Sequence, residues 1–570
     1  MPYRLRALPG GLTAAALLAL SLAAGPSEAA PAPGPAPRAG SGAGPGPLAA
    51  LALRPPMGWN NWAHYMCDID EAKVLANADA LVSSGLAAKG YDTVTVDDCW
   101  MTRSRGPAGE LVPDPVKFPR GMAWLGSYLH ARGLKFGIYE DTGALTCERY
   151  PGSGTPEGGG PDHFAQDVRQ FASWGVDYIK MDGCNVWVAP GQTKEAAYRE
   201  AYEAVARAIR SSGRPMVHSA SAPAYFQNGE WGSPSWFSVL DWVGSTGQLW
   251  REGRDIQVYK PSAPATSRWK SVLGNYGYNR WLGRYAEPGN WNDPDFLIAG
   301  APGLTAEEGR SQVALWAMMA APFILSSEVS ELTPAGLAAL GNDDLIELDQ
   351  DPMGRQAAVL ATDGSTDLLA RPLANGDRAV AVLNRTSAAR RAVVRLADLG
   401  FPSECTVRTR NLWTGATGST RTELSATVPA HGTAVWRLTP RGCAEPLPTG
   451  QLTGNGAQCA DGEHTTGDGT VGLAPCTGGG DQRWTAAPDG TLRVAGQCLT
   501  SAGDAVRLAD CDPAGAAAGQ RWDARPDGRL TDEAGRCLDA PVAAGTDPAG
   551  PLRALPCGDH LVNQTWALPV

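Results

Sequence analysis

The chain has 570 residues, more than one hydrophobic core usually serves, so about two to four domains are expected. A net charge of -11 argues against the clustered basic surface that nucleic-acid binding needs. With 7 His, and with neither a CxxC pair nor an HExxH stretch, no metal site and no cofactor are expected; the even count of 12 Cys suits disulfides formed in an oxidising compartment.

Arg4 and Arg6 precede an apolar run from Leu12 to Ala24 and the small-residue stretch Ser27-Glu28-Ala29-Ala30. This pattern reads as a signal peptide over residues 1–30, which makes the mature protein secreted. The run is too short to span a bilayer, and no other apolar stretch approaches about 20 residues, so no membrane association is expected after cleavage. Residues 31–50 are Pro, Ala and Gly and read as a flexible linker.

Over residues 51–350 short apolar runs alternate with helical patterns. Asp92 to Val96, Leu134 to Tyr139, Val176 to Met181 and, more weakly, Pro215 to Ser219 read as strands. Ile69–Leu86, Phe164–Trp174 and Lys194–Ile209 read as helices between them. Strand–helix alternation over so long a stretch predicts an α/β fold of the (β/α)8 barrel type. A doubly wound sheet is the alternative, but no GxGxxG follows an early strand. Asp97-Asp98, Asp141 and Asp182 fall at strand ends, where barrels keep their active sites. Lys180 and Asp182 share one face of their strand, and the lysine favours an ionised carboxylate. Taken alone, such an aspartate is more often a turn or helix-capping residue.

From 353 to 440 the pattern turns to strands: Ala379–Leu383, Ala392–Leu396, then Thr427–Val428 and Ala434–Leu438 around the turn Pro429–Gly432. This predicts an antiparallel β-sandwich. Residues 446–570 carry an internal repeat. Gln482-Arg483-Trp484, Gln520-Arg521-Trp522 and Gln564-Thr565-Trp566 recur 38 and 44 residues apart, each after two cysteines. Three QxW repeats with internal pairs Cys459-Cys476, Cys498-Cys511 and Cys537-Cys557 resemble a ricin-type β-trefoil carbohydrate-binding domain.

Residues 54 to 440 resemble glycoside hydrolase family 27, the α-galactosidases and α-N-acetylgalactosaminidases. The motifs occur in order: Pro55-Pro56-Met57-Gly58-Trp59-Asn60, Val96-Asp97-Asp98-Cys99-Trp100, Gly137-Ile138-Tyr139, Tyr178 to Asn185 around Lys180-Met181-Asp182-Gly183-Cys184, Gly289 to Phe296, Ala314-Leu315-Trp316-Ala317 and Ala321-Pro322. Retaining hydrolysis needs two carboxyl groups about 5–5.5 Å apart. The resemblance implies Asp182 as nucleophile. Trp250-Arg251 to Asp255-Ile256 resembles the family's W-R-x-x-x-D-I, which implies Asp255 as general acid/base and Arg251 as a contact to the substituent at C2. Asp97 and Asp98 would hold O4 and O6, Trp59 would stack on the sugar, Lys180 would bond its hydroxyls and Tyr139 would line the pocket. The resemblance also implies disulfides Cys67-Cys99 and Cys147-Cys184. A third family disulfide is absent, Ala220 and Gly247 standing at its positions, and the pairing of Cys405 and Cys443 stays open.

Ser219 to Tyr225 reads Ser-Ala-Ser-Ala-Pro-Ala-Tyr. Galactosidases of the family carry Glu and Leu where this chain has Ser221 and Ala224, and the α-N-acetylgalactosaminidases carry Ser and Ala. The smaller pair implies a C2 pocket that leans toward N-acetylgalactosamine. Ala222 replaces the family's Trp, and Glu140 replaces the small residue that usually follows Tyr139. In the trefoil, Asp461 and Asp539 take the place of the sugar-binding aspartate and Asn563 that of the polar contact, while Thr500 replaces the aspartate in the second repeat. The tryptophans of the repeats are expected in the core. The partner is therefore a carbohydrate, with the oligomeric state unreadable. Alternatives are a strict α-galactosidase, a β-L-arabinopyranosidase or isomalto-dextranase, and a carbohydrate-binding protein without activity.

Overall fold

The computed structural model describes residues 51–227, 234–256, 265–454, 458–462, 469–512, 518–525, 528–540, 550–558 and 562–569. The expected leader and linker lie outside them.

Eight short parallel strands make the first body: β1 (Met57–Asn60), β2 (Thr93–Val96), β3 (Lys135–Asp141), β4 (Tyr178–Asp182), β5 (Val217–Ala220), β6 (Leu249–Arg251), β7 (Trp291–Asp293) and β8 (Phe323–Leu325). They are ordered β7-β6-β5-β4-β3-β2-β1-β8. The sheet closes just past β7, where Leu297 bridges Leu325; Leu297 N donates to Ile324 O (2.8 Å) and Ser326 N to Leu297 O (2.9 Å). The result is a (β/α)8 barrel whose strands are buried on both faces, which is why apolar runs mark them better than alternation does. The first outer helix is shorter at both ends than the sequence pattern suggests. Asp70 accepts from Lys73 N (2.9 Å) and starts it at Glu71, and it ends at Ser83 before the left-handed Gly85. Thr193 caps the helix Lys194–Ser211, and a Thr305/Glu308 capping box opens the helix Ala306–Met319.

The second body is an antiparallel sandwich. A six-stranded sheet faces the pair Arg390–Arg395 and Glu423–Val428. The period of two decides what each residue touches. Val359, Leu369, Ala379, Ala381, Leu383 and Val435 pack into the barrel core, while Leu360, Ala370, Val380, Val382, Trp436 and Leu438 fill the sandwich interior. The helix Ala306–Met319 lies between barrel and sheet and is buried along most of its length.

The third body is the β-trefoil. Each QxW tryptophan donates its indole N–H to the carbonyl one residue past the first cysteine of its repeat: Trp484 to Ala460 (2.7 Å), Trp522 to Leu499 (3.0 Å) and Trp566 to Leu538 (2.8 Å). All three rings sit in one core cluster. The trefoil meets the sandwich through Arg483 and Asp398 (3.1 Å). It meets the barrel where Arg284 donates to Gly454 O (3.0 Å). Arg284 lies in the segment entering β7, so this contact is at the N-terminal end of the strands. Disulfides join Cys67–Cys99, Cys147–Cys184, Cys405–Cys443, Cys459–Cys476, Cys498–Cys511 and Cys537–Cys557. No helix among the described residues is long and apolar enough to cross a membrane.

Candidate active site

The C-terminal ends of β2, β3, β4, β5, β6 and β7 deliver polar side chains to one place. On β4 the alternation turns Lys180 and Asp182 inward together. Lys180 Nζ reaches Asp97 Oδ2 at 2.8 Å and lies over the rings of Tyr139 and Phe296. Burial works against its charge, but Asp97, Asp182 and Asp255 outweigh it and hold the ammonium charged. One cation is thus shared by carboxylates from β2, β4 and the loop after β6.

Asp182 is half-buried at the strand tip. Its Oδ1 accepts from Tyr225 Oη at 2.5 Å and from Gly183 N at 2.9 Å. Its Oδ2 has no hydrogen-bond donor among the described residues. The carboxylate is thus pinned by one oxygen only, as far as the described residues go. Tyr225 is itself wedged against the Cys147–Cys184 disulfide, 3.0 Å from Cys184 Sγ. Asp141 is paired in register with Asp182 across β3 and β4, and its Oδ2 accepts from Cys184 N (3.0 Å). Burial, with Asp182 and Asp98 near it, pushes the Asp141 carboxyl up. Asp141, Asp182 and the two cysteines are close enough to suggest a metal site, but the sulfurs are joined to each other and offer no thiolate.

On the floor, Asp97 Oδ2 also accepts from Asn60 Nδ2 (2.7 Å). Asp98 accepts from Cys99 N (2.6 Å) and Glu148 N (3.1 Å). Burial pushes the Asp98 carboxyl up to about 6, against hydrogen bonds from Thr146, Glu148 and Cys99. Tyr139 is buried beside them. Trp59 shows no surface at all (0 % exposed) and donates to Ser327 O at 2.8 Å. In the unliganded site it is packing beneath the pocket and presents no open platform. Glu140 points away from the pocket, because Tyr139 and Asp141 take the inner face of β3; it lies near Asp167 and Arg105 behind the barrel.

At the opposite wall Arg251 is buried, and its Nη2 is shared by Asp255 Oδ1 (3.0 Å), Asp295 Oδ2 (3.1 Å) and Gly253 O (3.3 Å). The Asp255 side chain is 65 % exposed. Desolvation by the protein around it would raise its carboxyl, but Arg251 and Lys180 outweigh that and hold it below the usual carboxylate range. Ser221 opens the short turn of helix Ala222–Tyr225; its hydroxyl has no partner among the described residues, and Ala224 is half-buried beside it. Asp182, Ala224, Tyr225 and Asp255 form the accessible rim, and Asp97, Asp98, Tyr139, Lys180, Ser221 and Arg251 the buried floor and walls.

The family model described as Alpha galactosidase A matches residues 54–351, more than half of the chain. The chain belongs to the alpha-galactosidase A family. The models for the alpha galactosidase C-terminal beta sandwich domain and the ricin-type beta-trefoil lectin domain match residues 363–438 and 448–566. Among relatives, the chain is 40 % identical over 467 residues to the alpha-galactosidase A of Aspergillus niger, covering 80 % of this chain and 83 % of that one. It is 36 % identical over 393 residues to the alpha-galactosidase of Cyamopsis tetragonoloba, covering 69 % and 87 %. The crystal structure of alpha-galactosidase I from Mortierella vinacea superposes with a TM-score of 0.60 at 29 % identity, covering 68 % of this chain and 98 % of that one.

Four residues of this alpha-galactosidase-family site had no role in the sequence reading: Tyr225, Asp141, Asp293 and Asp295. The first two bear on Asp182 and the last two on Arg251. Asp293 and Asp295 lie inside the Gly289–Phe296 motif, so their place in the pattern was the available signal.

In the trefoil, Asp539 Oδ2 accepts from Asn563 Nδ2 and Gln564 Nε2, both at 2.8 Å, and Asp461 Oδ2 accepts from Gln482 Nε2 at 2.9 Å. In the second repeat Gln520 Nε2 reaches Thr500 Oγ1 at 3.2 Å.

Proposed function

We propose that this chain is a secreted, retaining exo-glycosidase that releases terminal α-galactosyl-type residues and accepts N-acetylgalactosamine at its C2 pocket. The observation that supports this reading is the Asp182 carboxylate, held through Oδ1 by Tyr225 and Gly183 with no donor to Oδ2 among the described residues, while the charge of Lys180 acts on both Asp182 and Asp255.

In the first step Asp182 Oδ2 attacks the anomeric carbon while the bond to the leaving oxygen breaks, and protonated Asp255 gives that oxygen its proton. A glycosyl ester on Asp182 results. In the second step Asp255, now a carboxylate, takes a proton from water as the water oxygen attacks the anomeric carbon. The ester opens, Asp182 is restored and Asp255 is reprotonated. Asp97, Asp98 and Lys180 offer the acceptors and donor for the sugar's O4, O6 and neighbouring hydroxyls. The family resemblance assigns the C2 substituent to Arg251 and Ser221, and the Ser221 hydroxyl has no partner among the described residues to compete for it.

Hydrolysis of a nitrophenyl glycoside panel, with NMR of the first anomer released, tests the reading. Release of the α anomer from α-galactosides supports it, and release of the inverted anomer ends the double displacement. For the C2 pocket, kcat/KM is compared on nitrophenyl α-N-acetylgalactosaminide and α-galactoside. Ser221→Glu with Ala224→Leu should move the ratio toward galactose by roughly 10–100-fold. A wild type that already refuses the N-acetyl substrate rules the pocket out. The third trefoil repeat, with Asn563 and Gln564 both on Asp539, is the better candidate for binding sugar.

A further inference from the structure

We propose that Asp295 is the positioning residue of the general acid/base: its carboxylate fixes the backbone beside Asp255 and balances Arg251 so that Asp255 can carry a proton. The inference rests on the acid/base assignment of Asp255 made above.

The geometry is specific. Asp295 Oδ2 accepts from Ile256 N at 2.6 Å, the peptide directly after Asp255, and also meets Arg251 Nη2 at 3.1 Å. Arg251 Nη2 is at the same time 3.0 Å from Asp255 Oδ1. Two carboxylates therefore share one guanidinium nitrogen. Asp295 is buried, and its Oδ1 has no hydrogen-bond partner among the described residues. Its backbone sits in the left-handed region (φ 74), a conformation few residues other than glycine adopt. That turn is held at both ends: Asp295 N donates to Asp293 Oδ1 (2.9 Å), and Trp316 Nε1 donates to Asp295 O (2.8 Å). Asn275 Nδ2 further ties Pro294 O at 2.8 Å. A loop so constrained around one carboxylate places a charge rather than merely filling space.

The reason lies in the proton count. To act as an acid Asp255 must arrive protonated, yet it lies against a buried cation that favours its ionised form. Negative charge on Asp295 offsets part of the pull of Arg251, so Asp255 keeps its proton to higher pH than it would beside Arg251 alone. Without Asp295, Arg251 pairs with Asp255 alone and the proton is lost at lower pH. The charged groups facing Asp295 are Arg251 and Asp255 from β6 and the loop after it, and Asp293 from β7, with Lys180 of β4 acting on both Asp255 and Asp293. Burial pushes the Asp295 carboxyl up to about 7; Arg251 opposes the rise, and Asp255 and Asp293 add to it.

The test compares Asp295→Asn, Asp295→Glu and Asp255→Ala with wild type across pH on two α-galactosides. One has a 2,4-dinitrophenyl leaving group, which departs without a proton, and the other a methyl group, which needs one. Asp295→Asn should lose roughly 10–100-fold in kcat/KM on the methyl substrate and stay within about threefold on the dinitrophenyl one. The basic limb of its methyl-substrate profile should move down by about one pH unit. Asp295→Glu, which keeps the charge, should restore the limb. Equal loss on both substrates, or an unmoved limb, overturns the inference.

A second measurement does not need that variant to fold. In Asp255→Asn the carboxyl carbon of Asp295, followed by NMR, should titrate at lower pH than in wild type, because a like charge is gone; an unmoved midpoint also overturns the inference. If Asp255→Ala shows no dependence on leaving group, it is the acid/base assignment that has failed. If Asp255→Ala shows it and Asp295→Asn does not, only the role of Asp295 has failed.

Discussion

On the proposed mechanism, the reactivity of Asp182 turns on Tyr225. Its hydroxyl gives Oδ1 a 2.5 Å bond in a partly buried setting, and Gly183 N gives a second. Hydrogen bonds to an ionised group contribute about 1.5–3 kcal/mol, and this one fixes which oxygen is free to attack. Tyr225→Phe should therefore lower kcat by roughly 10–100-fold with KM little changed, since the bond orients the nucleophile rather than the sugar. Steady-state kinetics on a nitrophenyl α-galactoside decide it, and a change confined to KM would place the tyrosine in substrate binding instead. Residues of this kind are hard to read from sequence. Lys180 and Asp182 are two apart on one strand, so alternation exposes their relation. Tyr225 is 43 residues from Asp182, and only the parallel pairing of β4 with β5 brings them together. Asp295 is equally remote from the peptide it holds, 39 residues away.

At the level of elements, Asp367 is among the buried carboxylates that tie barrel to sandwich. Asp367, on the strand Thr366–Pro372, accepts from Tyr276 Oη (2.8 Å) and Arg280 Nη1 (2.9 Å) at the end of the helix Ala265–Asn279, and from Thr362 Oγ1 (2.6 Å); Arg385 pairs with it from the next strand. Burial alone would raise its carboxyl, but Arg385 and Arg280 prevail and hold it below the usual range. A folded-state value depressed in this way stabilises the protein above the unfolded-state value and loses that contribution as pH falls through the folded one. The tie should therefore weaken below about pH 4. Asp367→Asn should cost on the order of 3 kcal/mol at neutral pH, because two arginines lose their counter-ion, and should flatten the acid side of the stability–pH curve. Urea unfolding at pH 7 and pH 3.5 measures both effects; a variant as acid-sensitive as wild type would show that the tie does not govern acid stability. The elements themselves were unevenly legible. β2, β3 and β4 are at least four residues long and rich in β-branched and aromatic side chains. β6, β7 and β8 are three residues each, too short to show any period.

Across the whole molecule, three bodies place two sugar-directed surfaces on different parts of one chain. The repeats were legible because three QxW units in phase each close in the same way, with glutamine on the repeat's polar residue and tryptophan on its carbonyl. The junctions were not, because they use single residues such as Arg284, Arg483 and Asp398 that belong to no pattern. The trefoil reaches the barrel at the N-terminal end of its strands, whereas Asp182 lies at the C-terminal end, so a sugar held by the trefoil does not enter the pocket. On the proposed reading, its contribution would be to keep the enzyme near polymeric substrate, an effect of local concentration. Among the described residues, the third repeat sets a half-buried amide, Asn563, beside the buried Asp539. Asn563→Ala in the full chain should abolish retardation on a galactan-containing native gel. It should also lower the ratio of activity on insoluble galactan to activity on a nitrophenyl glycoside by about 10-fold, within the range expected when a tethering site is lost. Retardation that survives in Asn563→Ala but disappears in Asp461→Ala would move the binding site to the first repeat. Survival in both would leave the trefoil as a spacer between the sandwich and whatever surface the enzyme works on.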